Sequence, residues 1–213
     1  MIAIIDYKAG NLTSVKRALD FIGEVSIVTG DYSEVNDCDR IIFPGVGAAG
    51  NAICDLRVND LDKAIMSAYE NGKPILGICL GTQIIMEWSQ ENNTKCLGLI
   101  KGNVLRFPDE FSDSENKRLK VPHMGWNEVN LLRDHPVFHG IPEGTEFYFV
   151  HSYYPSPSDQ FNIIGETDYG IKFASVISSG NLLAVQFHPE KSGRPGLRIL
   201  ENFSNWNGKG YAQ

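Results

Sequence analysis

Residues 73–83, Lys73-Pro74-Ile75-Leu76-Gly77-Ile78-Cys79-Leu80-Gly81-Thr82-Gln83, constrain the fold more than any other stretch. Ile75 to Ile78 is a short apolar run behind a proline, the pattern of a buried strand, and Leu80, Ile84, Ile85 and Trp88 recur after it at helical spacing. The pattern predicts a strand that ends at Cys79 and a helix that starts there and reaches Trp88. A reversal this sharp leaves no room for Cβ atoms beside its central residue, which accounts for Gly77 and Gly81 in G-x-C-x-G. The thiol would stand where a substrate can reach it, at a helix N-terminus that favours the thiolate. A cysteine can also be simple core packing, but packing gives no reason to remove the side chains on both flanks.

The segments around this elbow predict a parallel sheet. Residues 2–5 read as a buried strand ending at Asp6, and a loop with Gly10 leads to Asn11 as a helix N-cap. Leu12, Val15, Leu19 and Ile22 give one helix face, Gly23 ends it, and residues 24–28 make the next strand, a βαβ opening. A third strand, 40–43, runs into Pro44-Gly45-Val46-Gly47, where glycines let backbone amides turn outward. Leu61, Ala64, Ile65 and Ala68 mark a helix closed by Asn71-Gly72, so that three or four βα units precede the elbow. Beyond it, short β-rich segments at 97–107, 121–129, 147–153, 163–166 and 172–177 replace the long helices, with 107–120 a polar surface loop. A hairpin turn at 178–181 leads into a strand over 182–187, and a helix over 197–206 closes a single domain spanning 1–213.

The nucleophile needs a base, and His188-Pro189-Glu190 supplies one at the end of the last apolar strand. A residue before proline is held extended, so the side chains of His188 and Glu190 should point the same way, as a carboxylate orienting an imidazole requires. Cys79, His188 and Glu190 thus read as nucleophile, base and orienter. The oxyanion donors follow from the elbow: the N–H of Leu80, and a second N–H at Val46 or Gly47 in the glycine-rich loop of a neighbouring strand. His123, His135, His139 and His151 lack a comparable partner pattern and read as structural.

Composition removes other classes. A formal net charge of -7, with no basic stripe, argues against a nucleic-acid surface. The four cysteines are widely spread with no CxxC pair, so neither zinc nor a disulfide framework is expected, and no metal or cofactor is called for. There is no basic leader and no membrane-length apolar run, so a soluble, unexported, cytoplasmic protein is expected.

Taken together, Ile4-Ile5-Asp6-Tyr7 with Gly10-Asn11, Phe43 to Gly47, Leu76 to Gly81, Val121-Pro122-His123-Met124-Gly125-Trp126-Asn127, Tyr148 to Tyr153 and Gln186 to Ser192 resemble the class I, triad-type glutamine amidotransferases, and among them the glutaminase subunits of imidazole glycerol phosphate synthases. The resemblance covers essentially the whole chain. It implies a three-layer α/β fold with a mostly parallel central sheet and an antiparallel, β-rich C-terminal half. It also implies hydrolysis of glutamine through a Cys79 thioester, a glutamine pocket lined by Gly45, Gly47, Gln83, His151, Ser152 and Tyr153, and ammonia passed to a (β/α)8 cyclase subunit in histidine biosynthesis. Asn11, Trp126, Tyr148 and Lys191 match positions that face the cyclase. Three places depart from the family pattern: Lys8 where a glycine is usual, Ala48-Ala49 where phenylalanine is common, and Thr82 where methionine is frequent. A paralogous glutaminase feeding another synthase is the alternative, and a cysteine peptidase or thiol stress protein on a similar elbow fold is a more distant one.

Overall fold

The computed structural model describes residues 1–8, 11–113 and 115–210; Gly10, read from the sequence as part of the first loop, lies outside them. In chain order the elements are β1 (Ile2–Ile5), α1 (Leu12–Phe21), β2 (Ser26–Thr29), α2 (Tyr32–Asp37), β3 (Arg40–Gly45), α3 (Ala49–Val58), α4 (Leu61–Glu70), β4 (Ile75–Cys79), α5 (Leu80–Ile84), β5 (Trp88–Ser89), β6 (Thr94–Lys95), β7 (Gly102–Arg106), β8 (His123–Glu128), β9 (Asn130–Leu131), β10 (Glu146–His151), β11 (Tyr153–Pro157), β12 (Ile163–Asp168), β13 (Lys172–Ser179), β14 (Leu182–Val185) and α6 (Gly193–Asn205).

Eight strands form one sheet in the order β2-β1-β3-β4-β14-β13-β12-β9. The first five are parallel, and the last three extend the sheet antiparallel. Successive residues of a strand face opposite sides, and the core divides accordingly. Ala3, Ile5, Ile41, Phe43 and Ile75 pack with Val35 of α2, Ile53 of α3 and Ile65 of α4. Ile2, Ile4, Ile42, Leu76 and Ile78 pack with Val15 and Leu19 of α1 and with Ile199 and Phe203 of α6. The result is helix, sheet, helix: three layers, in which each fully buried aliphatic side chain contributes roughly 1.5–3 kcal/mol. β8 and β10 form a separate ribbon, and β11, β7, β5 and β6 a four-stranded sheet. Among the described residues no helix is long and apolar enough to cross a membrane.

Several expectations need correction. The helix after Cys79 stops at Ile84 instead of reaching Trp88, which lies in β5. The carbonyls that would carry it on are already taken: Ile84 accepts from Leu97 N–H, and Ile85 from Leu99 and Ile100. Asn11 stands at the N-cap position of α1 but its side chain makes no capping bond; its amide donates to Glu190 instead. Helices α2 and α3 were not foreseen, and α6 begins at Gly193 rather than 197. Thr82, where the family favours methionine, is fully buried with its hydroxyl donating to Val185 O at 2.6 Å, so it ties α5 to the end of β14.

The elbow packs as its glycines require. A Cβ on Gly81 would lie 2.0 Å from Phe43 O, and one on Gly77 would lie 2.9 Å from Ala184 Cβ. The first obstacle is backbone of the neighbouring strand, which cannot rotate away. Gly81→Ala is therefore expected to lower stability by about 3 kcal/mol, or roughly 10 °C in Tm for a chain of this size. Thermal unfolding followed by circular dichroism checks this, and an unchanged Tm would contradict the packing.

Candidate active site

Cys79 closes β4 with φ 53° and ψ −107° and hands the chain directly to α5. A non-glycine residue in that region carries on the order of 1–3 kcal/mol of strain, which persists only when its surroundings over-determine it. The pairing of Gly45 with Cys79 places β3 alongside, and a Cβ on Gly45 would meet Tyr7 Oη at 2.0 Å. Tyr7 is buried and donates to Pro44 O at 2.8 Å. Burial, followed by the nearby Cys79 and Asp55, pushes its phenol far above the ordinary range, so the hydroxyl stays a donor that anchors the strand end. The Cys79 thiol donates to Val150 O at 3.8 Å.

His188 follows β14 at the C-terminal rim of the sheet, as expected, but is 1% exposed, with β10 bonded to its backbone. Its N–H donates to Tyr148 O at 2.9 Å, and Ser192 Oγ donates to His188 O at 2.6 Å while accepting from Tyr148 N–H. Residues 189–191 form one 3-10 turn, so the His188 and Glu190 side chains meet through a turn and not along an extended tripeptide. Nδ1 lies 2.8 Å from Glu190 Oε1, which also accepts from the Asn11 amide. Burial disfavours a charged ring, but the Cys79 sulfur and the Glu190 carboxylate outweigh it and push the His188 pKa up to about 10. His188 Nε2 and Glu190 Oε2 are buried without a hydrogen-bond partner among the described residues.

Cys79 and His188 open on one cavity of about 350 Å³, whose wall includes Val46, Gly47, Leu80 and Gln83. His151, Ser152 and Tyr153 of the β10–β11 strand pair line its far side. Of the glutamine-pocket residues implied by resemblance, only Gly45 does not line it; Gly45 sits behind, in β3. Gly47 takes φ 100° in the loop, and Val46 is 39% exposed at its tip. The wall also holds Glu91, which the sequence reading did not single out. Its carboxylate accepts from Ala49 N–H at 2.7 Å and so caps α3 immediately after the loop.

Polar side chains behind the cavity form a connected set. His151 Nδ1 donates to Tyr153 O at 2.8 Å, His151 Nε2 accepts from His123 Nδ1 at 2.9 Å, and His123 Nε2 accepts from Asn127 at 3.3 Å. Burial lowers His123 to about 4 and, with the neighbouring His123 ring added, His151 to about 3, so both stay neutral at physiological pH. Both ring nitrogens of His151 are committed inside the protein, which leaves its backbone as the part that faces a ligand. His135 lies elsewhere, beside a hollow of about 830 Å³ lined from residues 129–147, with Nδ1 accepting from Val137 N–H at 3.3 Å and its ring against Trp206.

The residues matched to a partner face are brought together beside the His188 turn. Trp126, 54% exposed on β8, meets the Tyr148 ring of β10 edge-on at 6.1 Å, and Lys191 Nζ lies 5.8 Å from the Tyr148 ring centre. Met124, two residues from Trp126 along β8, is exposed as well. Lys8 adopts φ 67°, the left-handed region that favours glycine, which explains why glycine is usual in the family at this departure.

Comparison with known proteins agrees with this geometry. A protein from Nitratidesulfovibrio vulgaris (strain DP4) named imidazole glycerol phosphate synthase subunit HisH is 47% identical over 206 residues, covering 97% of this chain and 96% of its own. One of the same name from Maridesulfovibrio salexigens is 49% identical over 203 residues, covering 95% of each. Among solved structures, PurLQS from Thermotoga maritima superposes with a TM-score of 0.71 at 21% identity, covering 96% of this chain and 97% of that one, and so shares the fold. The family described as glutamine amidotransferase class-I matches residues 3–205. The chain belongs to the class-I glutamine amidotransferases.

Proposed function

We propose that this protein is the glutaminase subunit of an imidazole glycerol phosphate synthase, acting in the cytoplasm as a single catalytic domain. The observation that carries the hydrolytic reading is the convergence of an elbow cysteine, a histidine and its carboxylate on one cavity. The identity of the partner rests on the names of relatives 47–49% identical over nearly the whole chain.

Each step has a residue to perform it. The Cys79 thiolate adds to the side-chain amide carbon of glutamine, and the N–H groups of Leu80 and of Val46 or Gly47 receive the oxygen as it becomes negative. Such donors are worth roughly two to three decades in rate apiece. The imidazolium of His188 gives its proton to the departing nitrogen, so ammonia leaves and a thioester remains on Cys79. Neutral His188 then takes a proton from water, the resulting hydroxide attacks the thioester carbonyl, and glutamate is released with the thiolate restored. Glu190 holds the ring by Nδ1 throughout, and Asn11 holds Glu190. Glu91 is the one carboxylate among the residues that line the cavity, and it suits the α-ammonium of an amino-acid substrate. Ammonia then passes to a (β/α)8 cyclase docked on the face of Trp126, Tyr148 and Lys191, with Asn11 at its margin. Exposed aromatics are common anchors of such contacts.

Purified protein is expected to release glutamate from glutamine weakly alone and much faster with the cyclase of the same genome, and Cys79→Ala to abolish both; wild-type turnover by that variant would refute the nucleophile. Glu190→Gln keeps the shape but removes the charge that holds the ring, and is expected to lower kcat about 10³–10⁴-fold. The same variant tests the ion pair through stability. His188 is raised above its ordinary 6.5 to about 10 in the folded state, so the stabilisation is complete below pH 6.5 and lost as pH rises toward 10. The stability gap between wild type and Glu190→Gln should narrow over that window in denaturant titrations; a gap that widens would contradict the sign.

A further inference from the structure

One backbone carbonyl sets the polarity of the side chains behind the nucleophile. Tyr153 O accepts from His151 Nδ1 at 2.8 Å and from Gln83 Nε2 at 2.9 Å. A carbonyl can only accept, so the Gln83 group at that contact is its NH2 and not its oxygen. The same NH2 lies 3.1 Å from the carboxamide of Gln186, whose facing atom must then be an acceptor, Oε1. The other end of that carboxamide, Nε2, is thereby turned to Cys79 Sγ at 3.8 Å. Flipping Gln186 would set two NH2 groups face to face and place an amide oxygen against the sulfur. Gln186 is 0% exposed, and its backbone N–H is fixed on Ser175 O at 2.8 Å. An apolar side chain would fill this core position with less desolvation cost, so a carboxamide with both ends committed calls for a polar task.

We propose that Gln186 is a further catalytic residue, an N–H donor to the Cys79 sulfur whose orientation is enforced by the Tyr153 carbonyl through Gln83. The inference rests on the reading of Cys79 as nucleophile. The amide transfers no proton. It stabilises the sulfur when negative, both before attack and when the thioester breaks, because a charged acceptor draws a hydrogen bond more strongly than a neutral one. The thiol hydrogen has its own acceptor, Val150 O at 3.8 Å, which leaves the sulfur lone pairs to the Gln186 amide, and that contact strengthens as the sulfur becomes negative.

The test separates this role from the glutaminase reading by using a reagent that needs no substrate. Iodoacetamide alkylation at neutral pH, mapped to individual cysteines by mass spectrometry, should mark Cys79 faster than exposed Cys54 in the wild type. Gln186→Met, of similar shape but without the donor, should slow alkylation of Cys79 about tenfold and lower kcat by a similar factor with KM little changed. Gln186→Glu, which presents acceptors to the sulfur, should slow it further. Thermal unfolding reports whether each variant is folded. In the unaltered protein labelled with ¹⁵N-glutamine, the Gln186 side-chain resonance should shift when Cys79 is alkylated. Alkylation of Cys79 at the wild-type rate in a folded Gln186→Met, or a Gln186 resonance indifferent to the state of Cys79, would overturn the proposal. A wild-type Cys79 no more reactive than Cys54 would overturn the nucleophile reading beneath it.

Discussion

The candidate-site end of the molecule depends on one backbone conformation, the φ 53°, ψ −107° of Cys79. A cysteine holds it because the three positions packed around the reversal where a Cβ would collide are glycines. Gly81 rides against the Phe43 carbonyl, Gly77 against Ala184, and Gly45 over the Tyr7 hydroxyl. β3, β4 and β14 can then lie in register at full sheet contact while the chain reverses into α5. The strain is held by the core on both faces of the sheet, and its effect is to turn a thiol out of a buried strand toward a cavity. The rest of the site is arranged around where that thiol ends.

Two electrostatic environments meet there. On one side the Cys79 sulfur and the Glu190 carboxylate together outweigh the cost of burying His188 and keep its ring protonated well above neutrality. On the other, His151 and His123 are held neutral by burial and by a chain of hydrogen bonds that ends on Tyr153 O. The same residue type thus takes opposite protonation states a short way apart: His188 has the Cys79 sulfur and the Glu190 carboxylate beside it, whereas burial governs His123 and His151, and the charge of His188 lowers His151 further. The unpartnered His188 Nε2 and Glu190 Oε2 lie in the charged half. Buried polar atoms without partners cost roughly 1–3 kcal/mol each, and here they stand where a reaction would use them.

Much of this was legible in the sequence because the signals are local. The strand, the flanking glycines and the pairing of His188 with Glu190 each lie within a few residues, although the tripeptide forms a 3-10 turn and not the extended shape expected, and the parallel sheet follows from the apolar periodicity of the first half. What was missed depends on distant partners. Helix α3 has Ala49, Ala52, Ile53 and Leu56 at helical spacing, but its N-cap is Ala48, and the capping carboxylate comes from Glu91, 42 residues from Ala49. Helix α5 ends early because N–H groups of residues 97–100 claim its last carbonyls. The N-cap expected of Asn11 failed because Glu190, 179 residues away, offers a charged acceptor. Gln186 did leave a trace, a polar residue within the apolar run 182–187, but only the polarity of Tyr153 and Gln83 gives it a direction.

The central claim, that the elbow presents Cys79 as the atom that bonds to substrate, is tested most directly by trapping the intermediate. The protein is mixed with glutamine, quenched in acid within a turnover, and digested for peptide mass mapping. The account predicts a glutamyl thioester on the peptide holding Cys79 and on no other cysteine peptide. Rapid glutamate release with every cysteine unmodified, or an adduct on Cys38, Cys54 or Cys96, would contradict it.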